Sequence, residues 1–240
     1  MVVLAKNPKK SSGNMERGKK IILGIDIGGS NIRGICGNKF LEFNTPKGEK
    51  EFIKILERFP RGYTVGIGVA GVVDGTKIKI SPNIKYLKNF DFSAIGGPVF
   101  GGKRLKVDND ARTFLRAELV RHSVSNKDRV LGITIGTGIG RAFAENGKVK
   151  KIKKFEYPEK WEKEYQKIRD SKNDQKLAEY LRGKLNLIID KYKPGAVILG
   201  GGVLGRRGFF EKIKRYLRVR VIKARFGAKA GAIGAAMLWK

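Results

Sequence analysis

The sequence IILGIDIGGSNIRG, residues 21–34, combines an apolar run, a single carboxylate and two adjacent glycines. The apolar run up to Asp26 predicts a buried strand. Gly28 and Gly29 predict a tight turn whose exposed N–H groups attract anions, and the apolar residues that follow begin a returning strand. An acid beside such a turn suits a metal ion that bridges it to phosphate, whereas the plain alternative is a hairpin. This stretch alone favours the hairpin, so the rest of the sequence has to decide.

The same pattern begins again in the second half of the chain. An apolar run, Val130 to Ile135, ends in the turn GTGIG and continues into a further apolar run. Strands and helices alternate in both halves, which predicts an α/β protein with duplicated mixed sheets and a ligand cleft between two lobes. We expect a flexible basic tail at residues 1–19, an N-terminal lobe at 20–122 and a C-terminal lobe at 123–240. The final helix is expected to pack back on the N-terminal lobe.

The composition is strongly basic. With 52 Lys and Arg against 22 Asp and Glu, the formal net charge is +30. Such a charge is typical of nucleic-acid binders, of enzymes that concentrate a polyanionic substrate, and of lysine-rich surfaces adapted to heat. We favour the last interpretation, because no interleaving of basic and aromatic residues and no helix-turn-helix spacing accompanies the charge.

Cysteine usage and hydropathy favour the cytoplasm. Cys36 is the single cysteine, which excludes an internal disulfide framework and a cysteine-based zinc site. No apolar run is long enough to span a bilayer, and the first residues lack a signal-peptide pattern. We therefore expect no membrane partner, and nucleic acid is not the expected partner despite the charge.

Four glycine-rich turns follow predicted strands, at Gly28, Gly71, Gly136 and Gly200. Together they favour a phosphate-rich ligand held by backbone N–H groups, although each turn alone is weak evidence. The sequence contains no GxxxxGK(S/T) motif, which excludes a P-loop enzyme. The GTGIG turn leads into a strand instead of a helix, which excludes a dinucleotide-binding turn.

Two carboxylates are suited to phosphoryl transfer. This reaction needs a metal site, a phosphate-binding turn and a base that accepts the proton of the nucleophile. Asp26 is suited to the metal side, and Asp110, the last residue of the sequence DND after a buried strand, is suited to the base. Helix N-capping is the alternative for Asp110, but a cap explains only one of these three polar residues.

Seven motifs resemble, in their order, the ROK family of sugar kinases and related repressors. They are DIGGSNIRG, GVAGVVDG, SPN, DNDA, GTGIG, ILGGGVLG and GAKAGAIGAAML, and they cover most of the chain from residue 21 onward. The resemblance implies the actin-like, ribonuclease-H-like two-lobed ATPase fold of hexokinases. The basic tail is too short for the DNA-binding domain of the repressor branch, so the kinase branch is expected.

The resemblance also implies roles for individual residues. Asp26 would help to hold Mg²⁺, through water, and Asp110 would be the general base. The first phosphate motif would comprise Gly28, Gly29, Ser30 and Asn31, the second Gly136, Thr137 and Gly138, and the adenosine motif Gly200, Gly201 and Gly202. The sugar contacts would comprise Gly71, Asn83, Asn109, Asp110 and Glu156.

Several positions depart from the family pattern. The cysteine-rich zinc motif is missing from the sequence, and Glu159 stands where the family has a histidine that contacts sugar and metal. The sole histidine, His122, lies far from that position in the sequence. Arg112 stands where an asparagine is usual. The chain is therefore interpreted as a short member of the family without a zinc site.

The resemblance implies ATP- and Mg²⁺-dependent phosphorylation of a hexose. Glucose is the expected sugar and its 6-hydroxyl the expected acceptor, and a homodimer is the assembly to test. Two alternatives stay open. The same fold could use polyphosphate as the donor, or the protein could be a non-catalytic sugar sensor or nucleic-acid binder.

Overall fold

The computed structural model describes residues 21–101, 104–122 and 128–240. The basic tail expected at residues 1–19 lies outside the described residues. Within them, no helix combines the length and the apolar character that crossing a bilayer would require.

The N-terminal half of the described chain contains, in order, β1 (Ile22–Ile27), β2 (Asn31–Cys36), β3 (Lys39–Asn44), α1 (Glu49–Leu56), β4 (Thr64–Val69), β5 (Val72–Asp74), β6 (Lys77–Ile80), α2 (Ser93–Phe100), β7 (Leu105–Asn109) and α3 (Asp110–His122). The C-terminal half contains β8 (Arg129–Ile135), β9 (Ile139–Glu145), β10 (Lys148–Lys150), α4 (Lys153–Glu156), α5 (Glu162–Asp170), α6 (Asp174–Tyr192), β11 (Ala196–Gly200), α7 (Phe209–Lys214), β12 (Arg220–Lys223) and α8 (Ala230–Ala236).

The two halves are built on sheets of the same construction. The N-terminal sheet has the order β3-β2-β1-β4-β7, and the C-terminal sheet has the order β10-β9-β8-β11-β12. In each sheet the first three strands form an antiparallel meander, and the last two strands run parallel to the first. The predicted duplication of a mixed sheet is therefore confirmed.

The register of the parallel strands brings the polar residues to one edge of each sheet. Asp26 on β1 pairs with Gly68 on β4, and Val69 pairs with Asn109 on β7. In the C-terminal sheet, Gly200 at the end of β11 pairs with Thr134 near the end of β8. Because the carboxyl ends of parallel strands meet at a common edge, ligands of such sheets bind there.

Small residues let α8 lie directly on the N-terminal sheet. A methyl group at Gly24 would lie 2.8 Å from the backbone nitrogen of Ala236, and one at Gly66 would overlap the carbonyl oxygen of Ala235. The fully buried side chains of Ala232 and Ala235 fill this narrow contact. α8 also packs against α3, where a methyl group at Gly234 would overlap the carbonyl of Thr113.

Two elements are not apparent from the sequence pattern. β5 forms within the glycine-rich turn GVAGVVDG, where we expected only a turn, because it pairs with β6 as a two-stranded sheet. α2 contains two glycines and Pro98, which are poor helix formers, but its buried Val99 and Phe100 anchor it to the core. Tertiary packing outweighs local propensity in both cases.

Candidate active site

A cavity of about 540 Å³ opens where the carboxyl ends of the two sheets meet. It is lined by nearly all of the predicted site residues: Asp26, Gly28, Gly29, Ser30, Asn31, Gly71, Asn83, Asn109, Asp110, Gly136, Thr137, Gly138, Glu156, Gly201 and Gly202. Gly200 is the exception. It is buried outside the cavity lining, and a methyl group there would overlap the ring of Phe114, so the packing of Phe114 requires a glycine at this position.

The first glycine turn joins β1 to β2. Thr45 donates its hydroxyl to the carbonyl of Gly28 at 2.6 Å, and its N–H to the carbonyl of Ser30 at 2.9 Å. In a trans peptide the C=O and the N–H point in opposite directions. The N–H of Gly29 therefore points away from Thr45, which leaves it free to meet an anion.

The second glycine turn joins β8 to β9 and is held from behind by α5. The carbonyl of Gly136 accepts the Tyr165 hydroxyl at 2.6 Å, and the carbonyl of Thr137 accepts Arg169 Nη1 at 2.5 Å. By the same peptide geometry, the N–H groups of Thr137 and Gly138 point away from α5. Such a row of N–H groups attracts phosphate oxygens.

Asn83 lies between the two turns. A methyl group at Gly29 would lie 2.9 Å from Asn83 Cβ, and one at Gly138 would lie 3.2 Å from Asn83 Nδ2. A glycine at position 29 is therefore needed for the close approach of Asn83, and Gly138 gives its amide room. A residue predicted to contact sugar thus also packs against both turns.

Asp26 is the carboxylate beside the first turn. Burial, together with the nearby carboxylate of Asp110, raises the pKa of Asp26 to about 7. A methyl group at Gly231 on α8 would overlap the Asp26 carboxyl carbon, so this side chain needs a glycine opposite it. A carboxylate that is costly to ionise and lines a cavity fits a divalent cation, and Mg²⁺ prefers such oxygen ligands.

Asn109 and Asp110 make different contacts at the start of α3. Asn109 is the helix cap, because its Oδ1 accepts the N–H groups of Ala111 at 3.0 Å and Arg112 at 3.3 Å. Its Nδ2 donates to the carbonyl of Gly71 at 3.0 Å. Burial raises the pKa of Asp110 to about 6, although the N–H of Ala111 donates to its Oδ1 at 2.9 Å. The capping alternative weighed for Asp110 therefore belongs mainly to Asn109.

Glu156, at the end of α4, has protein partners on both carboxylate oxygens. Its Oε2 accepts the N–H of Val73 at 3.0 Å, and its Oε1 forms an ion pair with Arg112. Arg112 also pairs with Asp108 on β7. Although burial lowers the pKa of Arg112, the two carboxylates outweigh burial and hold it above its usual value. Glu156 thus lies in the cavity wall as expected, with Arg112 held directly behind it.

The far end of the cavity is built from small residues. Gly201 has a φ of 99°, and a methyl group there would overlap the backbone of Ile135. The wall continues through Val203 and through Gly227 and Ala228, next to α8. This backbone-rich end, with few polar side chains, gives room for a flat group.

Sequence patterns did not reveal several largely buried charged residues, two of them in the cavity wall. Arg141 lies in its wall and donates to the carbonyl of Tyr157 at 2.7 Å and to Glu162 Oε1 at 3.0 Å. Burial raises the pKa of Glu162. Glu118, which is fully buried, accepts the N–H groups of Arg225 and Phe226, each at 2.9 Å. A buried charge inside a predicted helix, such as Glu118, is the one signal that could have been found.

Comparison with known proteins gives a consistent set of relatives. A family model described as the ROK family matches residues 22–151. N-acetyl-D-glucosamine kinase of Haemophilus influenzae (strain 86-028NP) is 30% identical over 148 residues, which cover 52% of this chain and 46% of that relative. Polyphosphate glucokinase of Mycobacterium tuberculosis (strain ATCC 25177 / H37Ra) is 26% identical over 245 residues, which cover 89% of this chain and 89% of that relative. The chain thus spans about half of the first relative and most of the second, and both are named as sugar kinases.

Solved structures show the same fold. The inorganic polyphosphate/ATP-glucomannokinase of Arthrobacter sp. strain KM superposes with a TM-score of 0.78 at 24% identity, covering 92% of this chain and 98% of that one. A ROK family glucokinase from Streptomyces griseus, in complex with glucose and AMPPNP, gives 0.74 at 20% identity, covering 91% and 98%. The predicted actin-like two-lobed fold is therefore confirmed. Since the family model spans more than half of the sequence, this chain belongs to the ROK family.

Proposed function

We propose that the protein is an ATP-dependent hexose kinase that phosphorylates the 6-hydroxyl of its sugar, with glucose the first candidate. One observation carries the proposal: Asp110 lines the same cavity as two glycine turns with outward N–H groups, and the neighbouring Asn109 provides the main cap of α3. A base and a phosphate site in one cleft are the parts that phosphoryl transfer requires. The names of the relatives support the reaction class.

Asp110 is proposed to accept the proton of the attacking hydroxyl. The sugar oxygen would then form a bond to the terminal phosphorus of the donor as the bond to the leaving phosphate breaks. The N–H groups of Gly29, Thr137 and Gly138 would stabilise the charge that develops on the phosphate oxygens. Mg²⁺ would be held through water by Asp26 and, when bound, would neutralise charge on the donor phosphates.

The sugar is proposed to lie between Asp110, Asn83 and Glu156. Asn109 has one Nδ2 hydrogen beyond its bond to Gly71, which a sugar hydroxyl could accept. Each carboxylate oxygen of Glu156 has a lone pair beyond its protein contact. A site built from such hydrogen bonds discriminates strongly among sugars that differ in one hydroxyl.

Polyphosphate is the second candidate donor. The net charge of +30 favours a long polyanion, and the cavity carries Arg141 and Arg169 as well as the turns. The names of the M. tuberculosis and Arthrobacter relatives include polyphosphate. In this variant of the proposal the sugar chemistry at Asp110 is unchanged, and only the donor differs.

The deciding experiment is a panel of sugars against two donors. Glucose, mannose, fructose, N-acetylglucosamine and N-acetylmannosamine are each incubated with Mg²⁺ and either ATP or polyphosphate, and the sugar phosphate is quantified. We expect phosphate on a hexose with ATP. If the sugar phosphate formed with polyphosphate and not with ATP, polyphosphate would be assigned as the donor. If no sugar gave product with either donor, the protein would be a sugar-binding protein and not a kinase.

The assembly and the compartment are also proposals. We propose that the protein is located in the cytoplasm, because the free thiol of Cys36 suits a reducing compartment. We retain a homodimer as the assembly to be tested, by sedimentation of the purified chain with and without glucose.

A further inference from the structure

A second cavity, of about 300 Å³, lies on the opposite side of Arg112 from the predicted sugar site. Arg112 lines this second cavity, and its ion-pair partner Glu156 lines the larger one. The Arg112–Glu156 pair is therefore the wall between the two cavities. Whatever binds on one side of that wall can change the charge balance on the other.

The second cavity is cationic. Its lining includes Arg112, Arg116 and Lys151, against the single carboxylate of Asp108. Lys151 Nζ donates to the carbonyl of Val73 at 3.0 Å, which ties the ammonium group to another residue of the cavity lining. The remaining lining consists of Gly75 and valine side chains, which offer nothing to neutralise the excess charge.

Arg116 has an unused donor in this cavity. Its Nη2 donates to Asp108 Oδ2 at 3.0 Å, whereas its Nη1 is buried and has no hydrogen-bond partner among the described residues. A buried donor without a partner costs free energy, and a guanidinium group is shaped to bind an oxyanion. The Arg116 side chain as a whole is 24% exposed, and an anion would meet the buried Nη1 by entering the cavity that this side chain lines.

We propose that the second cavity binds a phosphate-class oxyanion, and that the anion draws Arg112 away from Glu156. Arg112 is 7% exposed and is held by two carboxylates, so an anion beside it competes directly with Glu156 for its N–H groups. Released from Arg112, Glu156 Oε1 becomes available to sugar hydroxyls, while Oε2 still accepts the Val73 N–H. The anion site stands on its own geometry, whereas this link to the sugar rests on the proposed function.

The first test is binding of inorganic phosphate, measured by calorimetry without sugar or nucleotide. We expect Arg116→Gln to weaken binding at least tenfold, since it removes a charge-assisted hydrogen bond. Lys151→Gln should weaken it as well, and serves if Arg116→Gln does not fold. Arg215→Gln, an exposed arginine outside both cavities, should leave it unchanged. Thr137→Ala, in the larger cavity, separates phosphate bound at the glycine turns from phosphate bound in the second cavity. Equal binding by wild type, Arg116→Gln and Lys151→Gln, or loss in Thr137→Ala alone, would overturn the site.

The second test is the affinity for glucose by equilibrium dialysis, with and without phosphate. We expect phosphate to tighten glucose binding several-fold in wild type and not in Arg116→Gln. Glucose 6-phosphate replaces phosphate in a further arm, and tighter binding there that depends on Arg116 would identify a sugar phosphate as the source of the anion. Unchanged glucose affinity despite Arg116-dependent phosphate binding overturns the coupling. If glucose does not bind at all, the result contradicts the kinase proposal. It does not affect the conclusion on phosphate binding in the second cavity.

Discussion

The hydroxyl oxygens of Ser30 and Thr137 lie 2.8 Å apart, although 107 positions separate them in the chain. Each belongs to the glycine turn of one duplicated half, so this hydrogen bond joins the two halves at the cavity. Duplication of the sheet explains why equivalent turns face one another. It also places this pair of hydroxyls where a phosphate chain would pass between the turns, with one hydroxyl hydrogen left to donate because the other is used in the bond between them.

Ser30→Ala and Thr137→Ala should each raise the KM for the phosphate donor about tenfold, because a hydrogen bond to a charged group contributes roughly 1.5–3 kcal/mol. Their effects should not add, since the hydroxyls contact each other. Steady-state kinetics of both single variants and the double variant measure this coupling. Ser93→Ala, on a serine bonded to Asp91 outside the cavity, is the matched control. Additive effects would show that the hydroxyls act separately.

Asp110→Asn should lower kcat by roughly 10²–10⁴-fold, the usual contribution of a general base. The amide keeps the shape of the side chain and an oxygen for the Ala111 N–H, so nucleotide binding should change less than about twofold. Asp74→Asn, on an exposed carboxylate paired with Lys79, is the control and should keep full turnover. Near-normal turnover by Asp110→Asn would disprove the assignment of the base.

The acid limb of the pH profile should report the same residue. Burial raises the pKa of Asp110 to about 6, and a base must be deprotonated to accept a proton. As pH falls below about 6, Asp110 becomes protonated, and kcat/KM for the sugar should decrease about tenfold per pH unit. Above this pKa the Asp110 carboxylate is ionised and no longer limits kcat/KM. The residual activity of Asp110→Asn should lack this acid limb. If the variant kept the same acid limb, the limb would belong to another titrating group.

Much of this arrangement could be predicted from the sequence. The apolar runs before Asp26 and Gly136 are strand signals that do not depend on their surroundings, so the duplicated sheets followed from them. The two glycine turns and Asp110 were likewise placed in one cavity, because strand direction carries their residues to a common edge. Periodicity and turn chemistry were sufficient to predict these elements, because local residues determine them.

Long-range charge pairing was not predictable in the same way. The sequence identifies Arg112 only as a residue of a predicted helix. Nothing local indicates that it pairs with Glu156, 44 positions later. Gly200 belongs to a glycine run typical of a ligand turn, and nothing local indicates that the ring of Phe114 leaves no room for a side chain there. Both outcomes depend on which side chains lie opposite in the folded protein. A single sequence does not contain that information in readable form.

Gly231→Ala should impair the metal side of the site, because its methyl group would overlap the carboxyl carbon of Asp26. We expect a KM for Mg²⁺ raised at least about tenfold, and a loss of about 1–3 kcal/mol in the free energy of unfolding from overpacking. Gly183→Ala is the matched control. It lies exposed on α6 with open space around it, and should stabilise the helix by up to about 1 kcal/mol without changing kinetics. Thermal unfolding and Mg²⁺ titrations of both variants make the comparison. If Gly231→Ala kept the wild-type Mg²⁺ dependence, Asp26 would have no part in holding the metal.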